Sequence, residues 1–426
     1  MAEIYLNLLI LICFCLFAWG LIRVERVYQY PFFMGIIFIS FLVPQAFALT
    51  QNPGQVSQVA LERVLLVSCT CAAACLIGYK LKPNKKWLVK LDIPIDERKL
   101  FKAGIALMVI GFIFIFLINN TPVEKGANGN WSGLNTIYLF FAQVIYIAFG
   151  IFLLQTLQRP SVSNLIFTAI TSVPLIQTVI LYGRRQPTMT LLVIIGVSFF
   201  LIRRYTPPRW IFITVIVLMA LLIPAIGLLR GNFWTLLFSG NWQEVLSVSQ
   251  KTFNYLIDGD LLELRNAALL MDAAEHTNRY GYGTGYWDGM VFQYVPGQIV
   301  GYDLKRLLQF NNFETYDLAS MYGYSIPGGS TITGIGDSFI EFSYFGFLSF
   351  AFIAYIFKNL WISSVYHAST FSRLLYMGLI SPAMVGLTHG TGRFFQEALF
   401  QLIFVGLVTY YSRIKYKEYM QYMEDR

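Results

Sequence analysis

Apolar runs close to twenty residues long recur along this chain, and each is long enough to cross a hydrocarbon layer as a helix. They cover residues 4–22, 32–50, 59–79, 103–119, 135–157, 164–182, 187–202, 210–229, 342–360, 374–389 and 394–411. Inside lipid the backbone finds no water, so each run must satisfy its own N–H and C=O groups as a helix. The expected fold is all-α: a polytopic integral membrane protein with about eleven transmembrane helices. Composition agrees, because 13% of residues are charged where a soluble domain carries about 25%. The mean hydropathy of +0.58 excludes an ordinary soluble enzyme. The first run has neither a basic leader nor a small-residue cleavage site, so it reads as a span and not as a signal peptide.

Lys and Arg in the connections set the orientation. Segments 23–31, 80–102, 158–163, 203–209, 358–373 and 412–426 hold twenty of the 31 basic residues. That side is read as cytoplasmic, with the N-terminus outside. The net charge of +8 is then largely topology, and no nucleic acid is expected as a partner. Three regions follow: a bundle of about eight helices (1–229), one large outward-facing loop (230–341), and C-terminal helices with a cytoplasmic tail (342–426).

Cys13, Cys15, Cys69, Cys71 and Cys75 all lie inside apolar runs. They read as buried small apolar side chains, with neither a disulfide framework nor a zinc site. Three histidines are too few for a His-rich metal centre, and neither metal nor cofactor is expected.

In the long loop, Thr252–Ala274 carries apolar residues at 253, 256, 257, 261, 264, 268 and 271. This spacing predicts an amphipathic helix lying on the membrane surface. The following stretch, Tyr280–Tyr324, is rich in Gly and Tyr and includes Trp287. Such rings either stack on sugars or form an interfacial aromatic belt.

Charges at the outer ends of spans carry the chemical signal, because a charge beside hydrocarbon is costly. Arg184 and Arg185 sit in a very short outer hairpin, and Arg230 opens the long loop. They read either as snorkelling side chains or as a clamp for diphosphate, which Arg binds bidentately. Arg393 follows Gly390 and Gly392 at the start of a span, where free N–H groups would attract an anion. Glu397, four residues on, suits pairing with Arg393. His389 could act as a general base or acid near neutral pH, though such a residue is more often a hydrogen-bonded loop histidine, and Glu263 lies off the apolar face of the outer helix. Asp337 and Glu341 are weaker supporting candidates after the run Gly328–Gly336. That run lacks a P-loop lysine in register and faces outward, which argues against nucleotide binding.

The layout resembles the Wzy-type oligosaccharide repeat-unit polymerases of bacteria, which include O-antigen and enterobacterial common antigen polymerases. The resemblance rests on many spans, one large outer loop in the second half, and loose motifs in order. These are Gly183-Arg184-Arg185, Arg230-Gly231, Glu263-Leu-Arg-Asn-Ala-Ala-Leu-Leu, Tyr294-Val-Pro296, Gly328-Gly329-Ser330-Thr331, Glu341-Phe-Ser-Tyr-Phe-Gly346 and Gly392-Arg393-Phe-Phe-Gln-Glu397. Members often have an even number of spans with both ends inside, and this chain departs from that.

The resemblance implies a GT-C-like integral-membrane glycosyltransferase of the bacterial inner membrane. It would join undecaprenyl-diphosphate-linked oligosaccharide units on the outer face of the membrane. A flippase and a chain-length-regulating co-polymerase are the implied partners, beside membrane lipid. In that reading Arg184, Arg185, Arg230 and Arg393 hold diphosphates, and Glu263 or His389 takes the acceptor's proton. The competing readings are an O-antigen ligase, a lipid-linked oligosaccharide flippase and a membrane O-acyltransferase. A flippase needs charges along its spans, where Glu62 and Arg63 are the main exceptions here. An acyltransferase needs a nucleophile or base inside the bundle.

Overall fold

The computed structural model describes residues 1–122, 133–182, 185–208, 233–258, 263–310 and 316–414, with 210 and 214. Among these the fold is all-helical, save one isolated bridge between Ile95 and Arg413. Ten helices are long and apolar enough to cross a membrane, so the chain is a multi-pass membrane protein. They match ten of the eleven expected runs; the eleventh, 210–229, lies almost wholly outside the described residues.

We label α1 (Ala2–Ile22), α2 (Tyr30–Gln51), α3 (Gln58–Lys80), α4 (Glu97–Asn120), α5 (Leu134–Gln158), α6 (Val162–Tyr182) and α7 (Arg185–Arg203). Next come α8 (Trp242–Asp258), α9 (Glu263–Thr277), α10 (Thr284–Tyr294) and α11 (Thr333–Phe342). The last three are α12 (Phe347–Val365), α13 (Thr370–His389) and α14 (Thr391–Ser412). Within α2 a π turn at Phe38–Leu42 precedes Pro44, which has no N–H for a regular ladder.

Hydrogen bonds sort the connections onto two ends. At one end the Asn84 N–H donates to Asn359 Oδ1 (2.8 Å), Asp96 N–H to the Ser412 carbonyl (2.8 Å) and Ser369 Oγ to the Leu91 carbonyl (2.6 Å). This is the Lys- and Arg-rich set of segments. At the opposite end Arg265 donates to the Asn52 carbonyl (2.8 Å) and Thr331 Oγ1 to the Thr388 carbonyl (2.6 Å).

Small residues make the central seam. The α3 run Ser68-Cys-Thr-Cys-Ala-Ala-Ala-Cys75 gives α12 a flat face, and close backbone approach is how helices gain contact where lipid is as apolar as their side chains. A Cβ on Gly78 would lie 2.2 Å from the Ala351 carbonyl oxygen. Gly78→Ala is expected to cost about 1–3 kcal/mol by forcing the two helices apart. Gly406→Ala, where a Cβ meets nothing within 4 Å, is the control. Thermal melting of the purified chain checks both.

Two expectations are corrected. The stretch 252–274 does not lie on a surface throughout. Its second part belongs to α9, in which Leu264 and Asn266–Ala274 are all buried. Ala267, Ala268, Ala273 and Ala274 are small enough to admit neighbours on every side, so α9 is a core helix. Of the five cysteines, four are buried, but Cys15 is exposed on α1.

Candidate functional site

α11 is the centre of the site. Its ten residues reach only ~15 Å, half a bilayer core. It is buried along nearly its whole length because Gly334 meets the Gly386 carbonyl of α13 and Gly336 meets Ala267 of α9. Thus the glycines at 334 and 336 serve packing, whereas Gly328 and Gly329 stand in open space. Both flanks of α11 are left-handed without being glycine: Thr333 has φ 57° and Ser343 φ 52°. Tyr282 (φ 51°) lies opposite its C-terminal end. For a β-branched residue such as Thr333 this conformation is strained, and it persists only where surrounding packing enforces it.

From α11 two carboxylates, one helical turn apart, reach two different helix N-termini. Asp337 Oδ2 accepts from the Gly392 N–H of α14 (2.9 Å) and from Thr391 Oγ1 (2.8 Å). Since the Thr391 proton is used there, the Tyr286 hydroxyl donates to Thr391 Oγ1 at 2.5 Å. The result is a relay, Tyr286 to Thr391 to Asp337. Burial and the Asp337 charge push the Tyr286 hydroxyl well above its ordinary range, so it stays a neutral donor. Glu341 Oε2 accepts from the Gly283 N–H at the start of α10 (2.7 Å). In return the N–H groups of Gly281 and Tyr282 cap the Ile340 and Glu341 carbonyls. Glu341 is 3% exposed.

Arg393 and Glu397 come together as expected, at 3.5 Å. Arg393 is otherwise held only by long bonds to Gln396 (3.3 Å) and Gln293 (3.5 Å), and its side chain is 44% exposed. It stands one residue from Gly392, so the cation and the Asp337 carboxylate flank the same helix start. The N–H groups expected to await a phosphate there are not all free: Asp337 takes that of Gly392. His389 is exposed and shares a hydrogen bond with Thr388 Oγ1 (2.7 Å). Its neighbour Gly390 (φ 125°) passes against the Asp337 carboxyl group. Glu263 lies at the start of α9, where Gln45 of α2 donates to Oε2 (3.0 Å) and accepts from the Leu264 N–H. Arg184 and Arg230 lie outside the described residues; of Arg185 only the backbone is described, as the first residue of α7.

Beside this cluster an apolar groove of about 450 Å³ opens on the flank of the bundle. Tyr286, Met290, Phe342, Leu348, Phe352 and Phe395 line it. Tyr286 therefore belongs both to the groove wall and to the relay.

Sequence reasoning missed a second polar network. Arg63 of α3 forms an ion pair with Asp272 of α9 at 2.7 Å, and Arg63 Nε donates to the Tyr344 hydroxyl (3.3 Å). Tyr322 donates to the other Asp272 oxygen (2.9 Å), and His276 stands 3.4 Å from it. Its one visible signal was Arg63, a charge inside a span. Searches against family models, curated proteins and solved structures find no match for this chain.

Proposed function

We propose that the chain polymerises undecaprenyl-diphosphate-linked oligosaccharide repeat units on the outer face of a bacterial inner membrane, as a GT-C-like glycosyltransferase. The observation that carries this reading is the apolar groove running up to the half-buried Asp337 and the buried Glu341 beside an accessible arginine. A polyprenyl tail suits such a wall, and a diphosphate suits Arg393. In the reaction an acceptor hydroxyl oxygen attacks the donor's anomeric carbon. The C–O bond to the diphosphate breaks, and the diphosphate leaves with the bonding electrons. Asp337 takes the hydroxyl proton, and Arg393 offsets the leaving charge. Glu341, Glu263 and His389 are then positioning or packing residues. Flippase and chain-length co-polymerase are the proposed partners.

Buried charged groups favour this over a transporter. Asp272, Glu341 and Glu397, with the half-buried Arg63 beside Asp272, gather towards the end that holds α11, and Arg373 lies at the other, leaving no charged track through the middle among the described residues.

Deletion of the gene, with the surface glycan separated by size, tests the proposal. The expected result is collapse of the ladder to single repeat units. Repeats trapped on the carrier inside the cell would instead mean a flippase. Full-length polymer on its carrier, absent from lipid A–core, would mean a ligase. An unchanged ladder would overturn all three.

A further inference from the structure

At the end of the bundle opposite the site, two arginines meet at one helix C-terminus. The last carbonyls of α12 have no partner within the helix. Arg373 Nε donates to the Ser364 carbonyl (3.2 Å), and Arg204 Nη2 donates to the Val365 carbonyl (2.6 Å). These carbonyls are consecutive, so the two guanidinium groups are neighbours. A helix C-terminus offers about half a negative charge, against two full positive ones.

The placement of both residues is enforced. Arg204 follows α7 in the left-handed region, at φ 54°, and its guanidinium stands over the Phe200 ring. Arg373 is 8% exposed. The turn before it is held by Ser369, whose hydroxyl accepts from the Ser372 N–H, and by a Ser372–Ser363 hydroxyl bond (2.8 Å).

Donors exceed acceptors here. Each guanidinium has five N–H groups, and one bond of each goes to α12. Neither arginine forms an ion pair among the described residues. Of the acids in the basic connections, Asp92 stands 3.6 Å from His367, Glu97 pairs with Arg159 at 2.9 Å and Asp96 caps α4, while the exposed Glu25 pairs with neither arginine. The buried Ser364 hydroxyl also has no hydrogen-bond partner among the described residues. A buried cation without a counter-charge is costly unless something supplies one.

We propose that Arg204 and Arg373 bind a phosphoryl group at this end of the bundle. Two guanidinium forks match tetrahedral phosphate oxygens better than any single carboxylate. The basic connections put this end at the cytoplasmic surface, where the leaflet is anionic. The phosphoryl group comes either from a phospholipid headgroup or from a soluble phosphate.

The test uses the full chain in micelles of a phosphate-free maltoside detergent, with melting temperature as the readout. Phosphatidylglycerol is added to the micelles in one arm, and inorganic phosphate is titrated in the other. Lys90→Gln, an exposed basic position at the same end, controls for general attraction. We expect phosphatidylglycerol to raise the melting temperature of the native chain and of Lys90→Gln. In Arg204→Gln and Arg373→Gln the midpoint of that rise should shift to roughly tenfold more lipid, the loss of one charged hydrogen bond. Arg204 is exposed, so Arg204→Gln carries the test if Arg373→Gln does not fold. A rise with inorganic phosphate alone, lost in Arg204→Gln, would assign the site to a soluble phosphate. No rise in either arm, or an equal rise in all variants, would overturn the proposal.

Discussion

Asp337→Asn is expected to reduce the glycan ladder to single repeats, a loss of polymer of about 10²-fold or more, while the chain folds and reaches the membrane normally. The two halves of this result come from two roles of one side chain. As a cap, Asp337 takes bonds from the Gly392 N–H and Thr391 Oγ1, and an amide oxygen in the same place still accepts them. As the proposed base it must receive a proton, which an amide cannot do. Asp337→Ala removes both roles, with an added cap cost of about 0.5–2 kcal/mol. Comparing the two variants by melting temperature and by ladder separates catalysis from support. Equal losses of stability in both, with polymer retained in Asn, would sink the catalytic role and leave Asp337 a helix cap.

The ten spans were legible because lipid imposes a long apolar run on any helix that crosses it. The Arg393–Glu397 pair was legible because spacing i, i+4 is local. What escaped was tertiary. Asp337 and Glu341 bond to backbone 55 and 58 residues away in the chain, and no local pattern marks such partners. Thr333 and Ser343 adopt left-handed backbone without being glycine, so composition carries no trace of it. The periodicity of 252–274 picked out one apolar face. The other face of α9 is buried too, its Asn266 satisfied by Tyr324 and Ser330 and its Asp272 by Arg63 and Tyr322. A polar residue whose partner lies on another helix looks, in sequence, like one facing water.

That same network supplies the largest expected effect on stability. Arg63 and Asp272 are about equally hidden, with side chains 10% and 7% exposed, and they tie α3 to α9. Arg63→Ala leaves the Asp272 carboxylate buried with Tyr322 as its remaining close donor, and His276 stands at 3.4 Å. Removing one partner of such a pair costs about 3–5 kcal/mol, because the surviving charge keeps its desolvation penalty. Replacing both, as in Arg63→Met with Asp272→Leu, removes that penalty along with the attraction. The double variant is therefore expected to melt well above Arg63→Ala and close to the native chain. Melting curves of the native chain, Arg63→Met, Asp272→Leu and the double variant close the cycle. If the double variant falls by the sum of the two singles, the groups are not coupled, and the pair does not hold α9 in the bundle. Recovery in the double variant would also show that α9 can be kept in place by apolar packing alone. Activity in that variant then becomes informative. α9 backs α11 through Ala267 and Gly336, so a stable double variant that still polymerises limits the Arg63–Asp272 pair to architecture, whereas a stable but inactive one assigns it to the chemistry at Asp337.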